Sequence, residues 1–238
     1  MAKSVSRTKA RKAKLPIRRR LTRWVLRACG IAVLAVVATV LLFSVVNPPF
    51  NVYQWQESRR LGGIMQEWAD WDEIAPVMAR SIVAAEDANF CLHWGFDMRA
   101  IRAAIDAGSN RGASTLSQQV VKNVFLWHGR NYTRKAAEAL LTPLVELLWS
   151  KRRILEVYLN VAEFDEGVFG VKAAAAKYFA VEPGALTSVQ AARLAAVLPD
   201  PKDRNARRPS NGLRKRSASI LDGAETIKLD GRAACFEN

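Results

Sequence analysis

The sequence predicts a mainly α-helical domain preceded by one transmembrane helix. Apolar residues recur at spacings of three and four through most of the chain after residue 63, and alternating, strand-like runs are few. A run of 19 residues without a charge, residues 28–46, precedes this part of the chain. Half of the 238 residues are hydrophobic, so a packed helical domain of roughly 170–190 residues is expected.

The amino-terminal residues 1–27 form a basic segment. They hold eleven of the 36 Lys and Arg residues and no Asp or Glu, which leaves 25 basic against 22 acidic residues in the rest of the chain. The formal net charge of +14 therefore belongs mostly to this segment. Because the remaining chain is near neutral, it lacks the charge typical of a nucleic-acid-binding domain, and no nucleic-acid partner is expected.

Residues 28–46 are long enough to cross nearly all of a hydrocarbon core about 30 Å thick. A buried core helix and a cleaved signal peptide are the alternatives. A signal peptide has a shorter apolar core, and no A-x-A-like cleavage site is seen where Asn47-Pro48-Pro49 follows. We therefore expect an uncleaved single-pass anchor. The positive-inside rule places residues 1–27 in the cytoplasm and the chain after Asn47 outside it.

Helix start and stop signals divide the rest of the chain. The stretch Gly108 to Gly112 separates two helical patterns, and Pro199 ends a pattern that Thr187 or Ser188 caps. The basic stretch 204–216 is interpreted as a solvated surface helix or loop. The predicted helices span residues 64–90, 97–107, 114–125, 133–161, 170–179 and 188–198. The predicted organisation is a basic cytoplasmic tail (1–27), a transmembrane helix (28–46), a juxtamembrane connector (47–63), the main folded domain (64–222) and a C-terminal tail (223–238).

The three cysteines, Cys29, Cys91 and Cys235, fit no metal-binding spacing and no disulfide framework. Cys29 would lie in the membrane. A bridge between Cys91 and Cys235 is one alternative, but two free thiols are the expectation.

The stretch AAEDANFCLHWG, residues 84–95, brings a carboxylate, an aromatic ring and an imidazole into an apolar helical pattern. On one helix Glu86, Phe90 and His93 would share a face, because they are spaced four and then three residues apart. Apolar neighbours such as Ile82 and Phe90 disfavour an ionised carboxylate, so the pKa of Glu86 is expected to be raised toward the range of a general base.

Four further stretches carry polar residues on helical patterns: residues 112–123, 134–138, 151–160 and 193–198. Each, taken singly, has a structural explanation. Arg134 and Glu138 fit an exposed helix pair worth about 0.2–0.5 kcal/mol. Gln118 and Gln119 fit surface positions. Arg193 fits a side chain that extends from the edge of the core to water.

Taken together, these stretches resemble the peptidoglycan glycosyltransferases of family 51, the lipid II polymerases of bacterial cell walls. Five motifs occur in order over roughly residues 55–220: E-D-x-x-F-x-x-H-x-G (86–95), G-x-S-T-x-x-Q-Q (112–119), R-K-x-x-E (134–138), K-x-x-I-L-x-x-Y-x-N (151–160) and R-x-x-x-V-L (193–198). The match is to the monofunctional branch, since no set of S-x-x-K, S-x-N and K-T-G motifs follows and no transpeptidase activity is expected.

The resemblance implies a lysozyme-like glycosyltransferase domain that joins lipid-linked disaccharides with inversion at the anomeric carbon. By resemblance, Glu86 is the general base, and the cations stabilise the departing lipid pyrophosphate. Glu138 would arrange these cations or help to hold a divalent cation such as Mg²⁺, and no organic cofactor is implied. The implied catalytic residues are Glu86 and Glu138, and the implied substrate-binding residues are Asp87, Phe90, His93, Ser114, Thr115, Gln118, Gln119, Lys122, Arg130, Arg134, Lys135, Lys151, Tyr158, Asn160 and Arg193. For Tyr158, Asn160 and Arg193 a supporting role in the scaffold or cleft is the stronger expectation.

The implied partners are lipid II, the growing lipid-linked glycan, the membrane and other cell-wall synthesis proteins. The implied location is the bacterial inner membrane, with the domain in the periplasm. Two other classes of protein share part of this pattern. A membrane-anchored muramidase or lytic transglycosylase would need an acidic residue but no cations directed at a pyrophosphate. A non-enzymatic basic protein that binds nucleic acid or acidic lipid would need a basic folded domain, which the charge distribution opposes.

Overall fold

A computed structural model describes residues 17–108, 114–129 and 131–237, and the predicted mainly α-helical, lysozyme-like architecture is confirmed. The described chain divides into two units between Thr39 and Val40. The helices are α1 Ile17–Phe43, α2 Val52–Leu61, α3 Pro76–Glu86, α4 Met98–Asp106, α5 Leu116–Phe125, α6 Tyr132–Leu148, α7 Lys151–Val161, α8 Val171–Phe179, α9 Ser188–Val197, α10 Asn211–Leu229 and α11 Ala234–Glu237. Short 3₁₀ helices span Trp71–Glu73, Phe90–Leu92 and Pro183–Ala185.

Helix α1 is the one described helix that is long and apolar enough to cross a membrane. Most of its side chains are exposed, whereas a core helix of a soluble domain would bury them. The helix begins at Ile17, eleven residues before the predicted span, and ends at Phe43. These features agree with the expected single-pass membrane anchor.

The domain that follows packs its helices around one core. Helices α3, α9 and α10 pack on one another, and α5 packs against α6 and α7. Three short strands form a small sheet in the order β1-β3-β2, with β1 parallel and β2 antiparallel to β3. Their bounds are β1 Met65–Gln66, β2 Glu163–Asp165 and β3 Val168–Phe169.

The predicted helix over residues 64–90 is wrong over most of its length. Its first part forms β1 and a 3₁₀ helix, and α3 begins only at Pro76, whose ring suits the first turn of a helix but not its interior. The helix ends at Glu86 because Asp87 takes a non-helical backbone conformation, with φ −160° and ψ 70°. Glu86, Phe90 and His93 therefore do not lie on one helix.

The predicted helix over residues 133–161 is also wrong, since two helices, α6 and α7, occupy this range. Trp149 is extended and donates its indole N–H to the Val40 carbonyl, 2.7 Å away. Ser150 then starts α7 by accepting a hydrogen bond from the backbone N–H of Arg153. The apolar periodicity continues almost unchanged across the break between α6 and α7, because one capping serine is enough to start the second helix. The helices predicted over 97–107, 114–125, 170–179 and 188–198 agree with α4, α5, α8 and α9 to within two residues.

The ends of the predicted main domain also differ from the structure. The range 47–63, predicted as a connector, contains α2, which a reciprocal cap between Asn51 and Gln54 starts. The boundary predicted after residue 222 falls inside α10. Beyond it Phe236 is fully buried, so residues 223–237 are not a loose tail. The expectation of two free thiols is wrong, because Cys91 and Cys235 form a disulfide.

Candidate active site

Glu86 ends α3 with its carboxylate in a largely buried position. Gln119 Nε2 donates to Glu86 Oε2 at 3.0 Å, and the Arg216 guanidinium lies 3.7 Å from Oε1. Burial raises the pKa of Glu86, and the Gln119 hydrogen bond and the charges of Arg216 and Lys122 only partly oppose this effect. The predicted direction of the pKa shift is confirmed. The site thus contains a carboxylate suited to accept a proton.

Asp87 and His93 form a buried pair beside Glu86. The Asp87 carboxylate and His93 Nε2 are hydrogen-bonded, at 2.9 and 3.1 Å. Asp87 also accepts from the backbone N–H of Leu116, at 3.0 Å, which fixes it at the start of α5. Phe90 is fully buried and presents its ring to His93 in an edge-on contact. These residues form a rigid wall of the site.

Two residues of the second motif are used as a helix cap. Thr115 and Gln118 form the reciprocal cap of α5, and Thr115 Oγ1 also donates to the carbonyl of Gly95 at 2.6 Å. Both side chains are buried, so in this arrangement they shape the site rather than face a substrate. Gln119, one position later, is the residue of this motif that reaches Glu86.

A cluster of charges on α6 lies at the same site. Arg134 donates to Glu138 Oε2 at 2.7 Å, and Lys135 donates to Glu138 Oε1 and to Ser114 Oγ, the latter at 3.1 Å. The Glu138 side chain is only 3% exposed and that of Arg134 12%, which excludes an exposed surface pair. Lys122 of α5 lies close enough to this cluster to interact with its charges. Burial lowers the pKa of Lys122, and the negative charges of Glu138 and Glu86 oppose that decrease. Arg130 lies outside the described residues.

The charge cluster does not fit a metal site built from the protein's own carboxylates. Both oxygens of Glu138 are engaged by cations, Arg134 on one and Lys135 on the other. Within residues 17–108, 114–129 and 131–237, no group of three or more His, Cys, Asp or Glu side chains is placed to hold a metal ion. Glu138 therefore arranges the cations in this structure.

Lys151 is used differently from the sequence interpretation. It donates to Glu146 Oε1 and to the carbonyl of His93, each at 2.8 Å, and its ammonium lies 4.4 Å from the centre of the Phe90 ring. Glu146 also accepts from Ser117 Oγ. Lys151 thus supports the wall that contains His93 and is not a free cation for a pyrophosphate. Sequence analysis missed Glu146, whose place five residues before Lys151 gave no recognisable pair spacing.

Tyr158 and Asn160 support the scaffold. The Tyr158 hydroxyl donates to Gln119 Oε1 at 3.4 Å and so orients the amide that reaches Glu86. The fully buried Asn160 pairs with the backbone N–H and C=O of Ala69, at 2.8 and 2.9 Å. Arg193 is half-buried on α9 and is not among the residues that line the Glu86 cavity.

The cavity in front of Glu86 has a volume of about 700 Å³ and includes two arginines that sequence analysis missed. Arg204 and Arg216 line it together with Glu86, Ser114 and Gln119. Most of residues 204–216 are exposed, as expected for a surface helix or loop, but Arg216 is only partly exposed and reaches the cavity because α10 packs directly on α3. Gly223, seven residues later and on the same face of α10, lets this packing be close, since a Cβ there would lie 3.1 Å from that of Ala84.

Comparison with known proteins agrees with this geometry. A family model described as Transglycosylase matches residues 55–225. The chain belongs to the transglycosylase family. It is therefore an enzyme that transfers glycosyl groups, as the five motifs predicted.

This transglycosylase is similar to several proteins named biosynthetic peptidoglycan transglycosylase. It is 57% identical over 217 residues to one from Jannaschia sp., covering 91% of this chain and 90% of that protein. It is 46% identical over 223 residues to one from Xanthomonas oryzae, covering 89% and 91% of the two chains. It is 47% identical over 209 residues to one from Pseudomonas fluorescens, covering 83% and 87%.

Proposed function

We propose that this transglycosylase polymerises lipid II into linear glycan strands, with release of undecaprenyl pyrophosphate and without transpeptidase activity. One observation carries the proposal: a carboxylate with a raised pKa lines a cavity whose Ser114 is hydrogen-bonded to a lysine of the cation cluster. Glu86 and Ser114 both line this cavity, and Ser114 accepts a hydrogen bond from Lys135 of the cluster. A proton acceptor beside an anion-stabilising group is what transfer of a glycosyl group from a pyrophosphate requires.

In the proposed reaction Glu86 removes the proton from the 4-hydroxyl of the acceptor sugar. The resulting oxygen forms a bond to the anomeric carbon of the donor chain, and the bond between that carbon and the pyrophosphate oxygen breaks with inversion. The negative charge that develops on the leaving pyrophosphate is stabilised by the charge cluster of Arg134 and Lys135, with Lys122 nearby. Arginine supplies a two-pronged donor for a phosphate, and lysine supplies a compact charge.

The other residues of the cavity prepare Glu86 for this step. Gln119 holds the carboxylate through its amide, and Tyr158 in turn holds Gln119. Arg216 adds a positive charge that keeps the pKa of Glu86 from rising further. A dependence on Mg²⁺ remains a prediction, and no step of the proposed reaction passes through a metal held by Glu138.

We also propose that the domain lies on the periplasmic side of the bacterial inner membrane. The support is the basic segment before α1 and the disulfide between Cys91 and Cys235, because such bonds persist in oxidising compartments. Other cell-wall synthesis proteins remain expected partners.

The proposed function is tested by incubating the purified full chain with lipid II and separating the products by size. Wild-type protein is expected to form long glycan strands. Glu86→Gln keeps the shape of the side chain but removes the proton acceptor, so turnover should fall by roughly 10²–10⁴-fold. Arg208→Gln, which changes an exposed arginine before α10, is the matched control and should be fully active.

Two results would contradict the proposal. Near-normal polymer formation by folded Glu86→Gln protein would remove Glu86 from the role of base. Release of soluble fragments from purified cell walls, with no polymer formed from lipid II, would identify a lytic enzyme instead.

A further inference from the structure

The C-terminal residues 230–237, here called the strap, are fastened to the loop that follows Glu86. This loop, residues 87–93, is called the acid loop because it begins with Asp87. Cys235 of the strap is joined by a disulfide to Cys91 of the acid loop. The Arg232 guanidinium of the strap donates to the carbonyl of Ala88 at 2.9 Å. Two independent contacts therefore join the strap to the loop.

The strap itself is firmly held by the domain. Phe236 is fully buried and packs edge-on against Trp71, and α11 packs against α7. Glu237 pairs with Arg80 of α3, the helix that Glu86 ends. Because its far end is anchored in the core, the strap can restrain the acid loop instead of moving with it.

The acid loop forms part of the site. Ala88, whose carbonyl Arg232 holds, lines a cavity of about 230 Å³ together with Glu86 and Asp87. The loop also connects the end of α3 to His93, the partner of Asp87. A displacement at Ala88 would therefore move Asp87 and His93 relative to Glu86.

We propose that Arg232 is a positioning residue for glycosyl transfer, acting with the Cys91–Cys235 bond to hold the acid loop beside Glu86. The inference rests on the proposed function for its kinetic effect. The family model ends at residue 225, so the strap lies beyond the part of the chain that it matches.

Kinetics of two Arg232 variants on lipid II test this role in the full chain. Arg232→Gln removes the charged donor to Ala88 and should lower kcat by between about threefold and about 10²-fold, the range of small misplacements of reacting groups, with KM unchanged within twofold. Arg232→Lys retains a cationic donor and should recover part of kcat. Arg208→Gln is again the matched control. Wild-type kcat in Arg232→Gln, or an equal loss in both Arg232 variants without rescue by lysine, would overturn the proposal.

The covalent contact is tested by reduction with dithiothreitol under non-denaturing conditions. The reagent passes two electrons and two protons to the bond, giving two thiols and its own cyclic disulfide. Reduced wild-type protein should lose kcat to the level of a Cys91→Ser/Cys235→Ser double variant, which should itself be indifferent to the reagent. Unchanged kcat in both would remove the bond from the positioning role.

Hydrogen exchange gives a readout that does not depend on activity. In Arg232→Gln the backbone amides of residues 87–93 should exchange faster, while those of α5 and α9 stay at wild-type rates. Unchanged exchange in the acid loop would overturn the positioning role. If wild-type protein forms no glycan from lipid II, the proposed function fails, and the exchange rates still decide whether the strap restrains the loop.

Discussion

At the scale of single residues, Glu86 shows how burial and hydrogen bonding act against each other on one carboxylate. Burial favours the protonated form, while the Gln119 amide and the charge of Arg216 favour the ionised form. Burial dominates, so the pKa is raised, yet the carboxylate keeps a donor at 3.0 Å that orients it. The result is a carboxylate that is oriented by a hydrogen bond and whose pKa is raised by burial, as the proposed role of general base requires.

The raised pKa of Glu86 predicts the acid side of the pH profile. Only the ionised form accepts a proton, so kcat/KM should fall as the pH drops through a value above the ordinary glutamate pKa of about 4.3. Arg216→Gln removes a charge that lowers the pKa of Glu86, and should therefore move this limb to higher pH. Initial rates on lipid II across the pH range measure both effects. If the acid limb of the kcat/KM profile shifts to lower pH in Arg216→Gln, the assignment of that limb to Glu86 is contradicted. The control Arg208→Gln should leave the limb in place.

The position of Arg134 in the charge cluster leads to a second prediction, which concerns the stabilisation of the leaving group. If Arg134 stabilises charge that grows as the bond to phosphate breaks, Arg134→Ala should lower kcat by roughly 10²–10³-fold and not merely raise KM. Arg134→Lys should recover only part, because an ammonium lacks the two-pronged geometry. Steady-state rates with melting temperatures decide this, since Arg134→Ala also leaves Glu138 with one cation fewer. Wild-type kcat with a lowered Tm would reduce Arg134 to a structural partner of Glu138.

At the scale of elements, periodicity predicted helices well where capping and breaking residues agreed with it. Helix α9 follows Thr187 and stops before Pro199, and both signals are visible in the sequence. The break between α6 and α7 was missed because Trp149 and Ser150 fit either side of a continuous apolar pattern. At the break Trp149 donates to the carbonyl of Val40, 109 residues away in sequence, a contact that no local pattern reveals.

Asn160 gives a prediction at this scale, because it joins two elements rather than contacting the cavity. Its amide hydrogen-bonds both backbone groups of Ala69, which connects α7 to the segment before α3. Asn160→Leu leaves those buried groups without partners and should lower the free energy of unfolding by about 1–3 kcal/mol per group. Denaturant unfolding measures the loss, and kcat of the folded fraction should stay near wild type. A large loss of kcat with unchanged stability would show that Asn160 acts in the reaction.

At the scale of the whole molecule, the sequence predicted the family and the position of Glu86, but not how distant elements complete the site. The five motifs identify residues by their order along the chain, and they led to Glu86, Gln119 and the Arg134 cluster. Arg216 and Glu146 lie outside those motifs. The packing of α10 on α3 brings Arg216 to Glu86, and Glu146 near the end of α6 pairs with Lys151 at the start of α7. The same limit explains why Lys151 was assigned to the substrate, although its partner is Glu146.

The basic segment before α1 predicts the orientation of the whole chain. Eleven cations precede the apolar run, so the amino terminus should stay in the cytoplasm and the domain should be exported. The test uses a reporter that works only outside the cytoplasm. It should be active when fused after residue 238 and inactive when fused before Met1. The reverse pattern would overturn the proposed orientation.

The bond between Cys91 and Cys235 also sets an order of events during synthesis of the protein. The two cysteines are 144 residues apart, and synthesis proceeds from the amino terminus. Cys91 therefore emerges long before its partner and cannot form this bond until α10 and Cys235 have followed. Chains interrupted anywhere between the two cysteines cannot close the bond, so the oxidised acid loop marks a chain translated at least as far as Cys235.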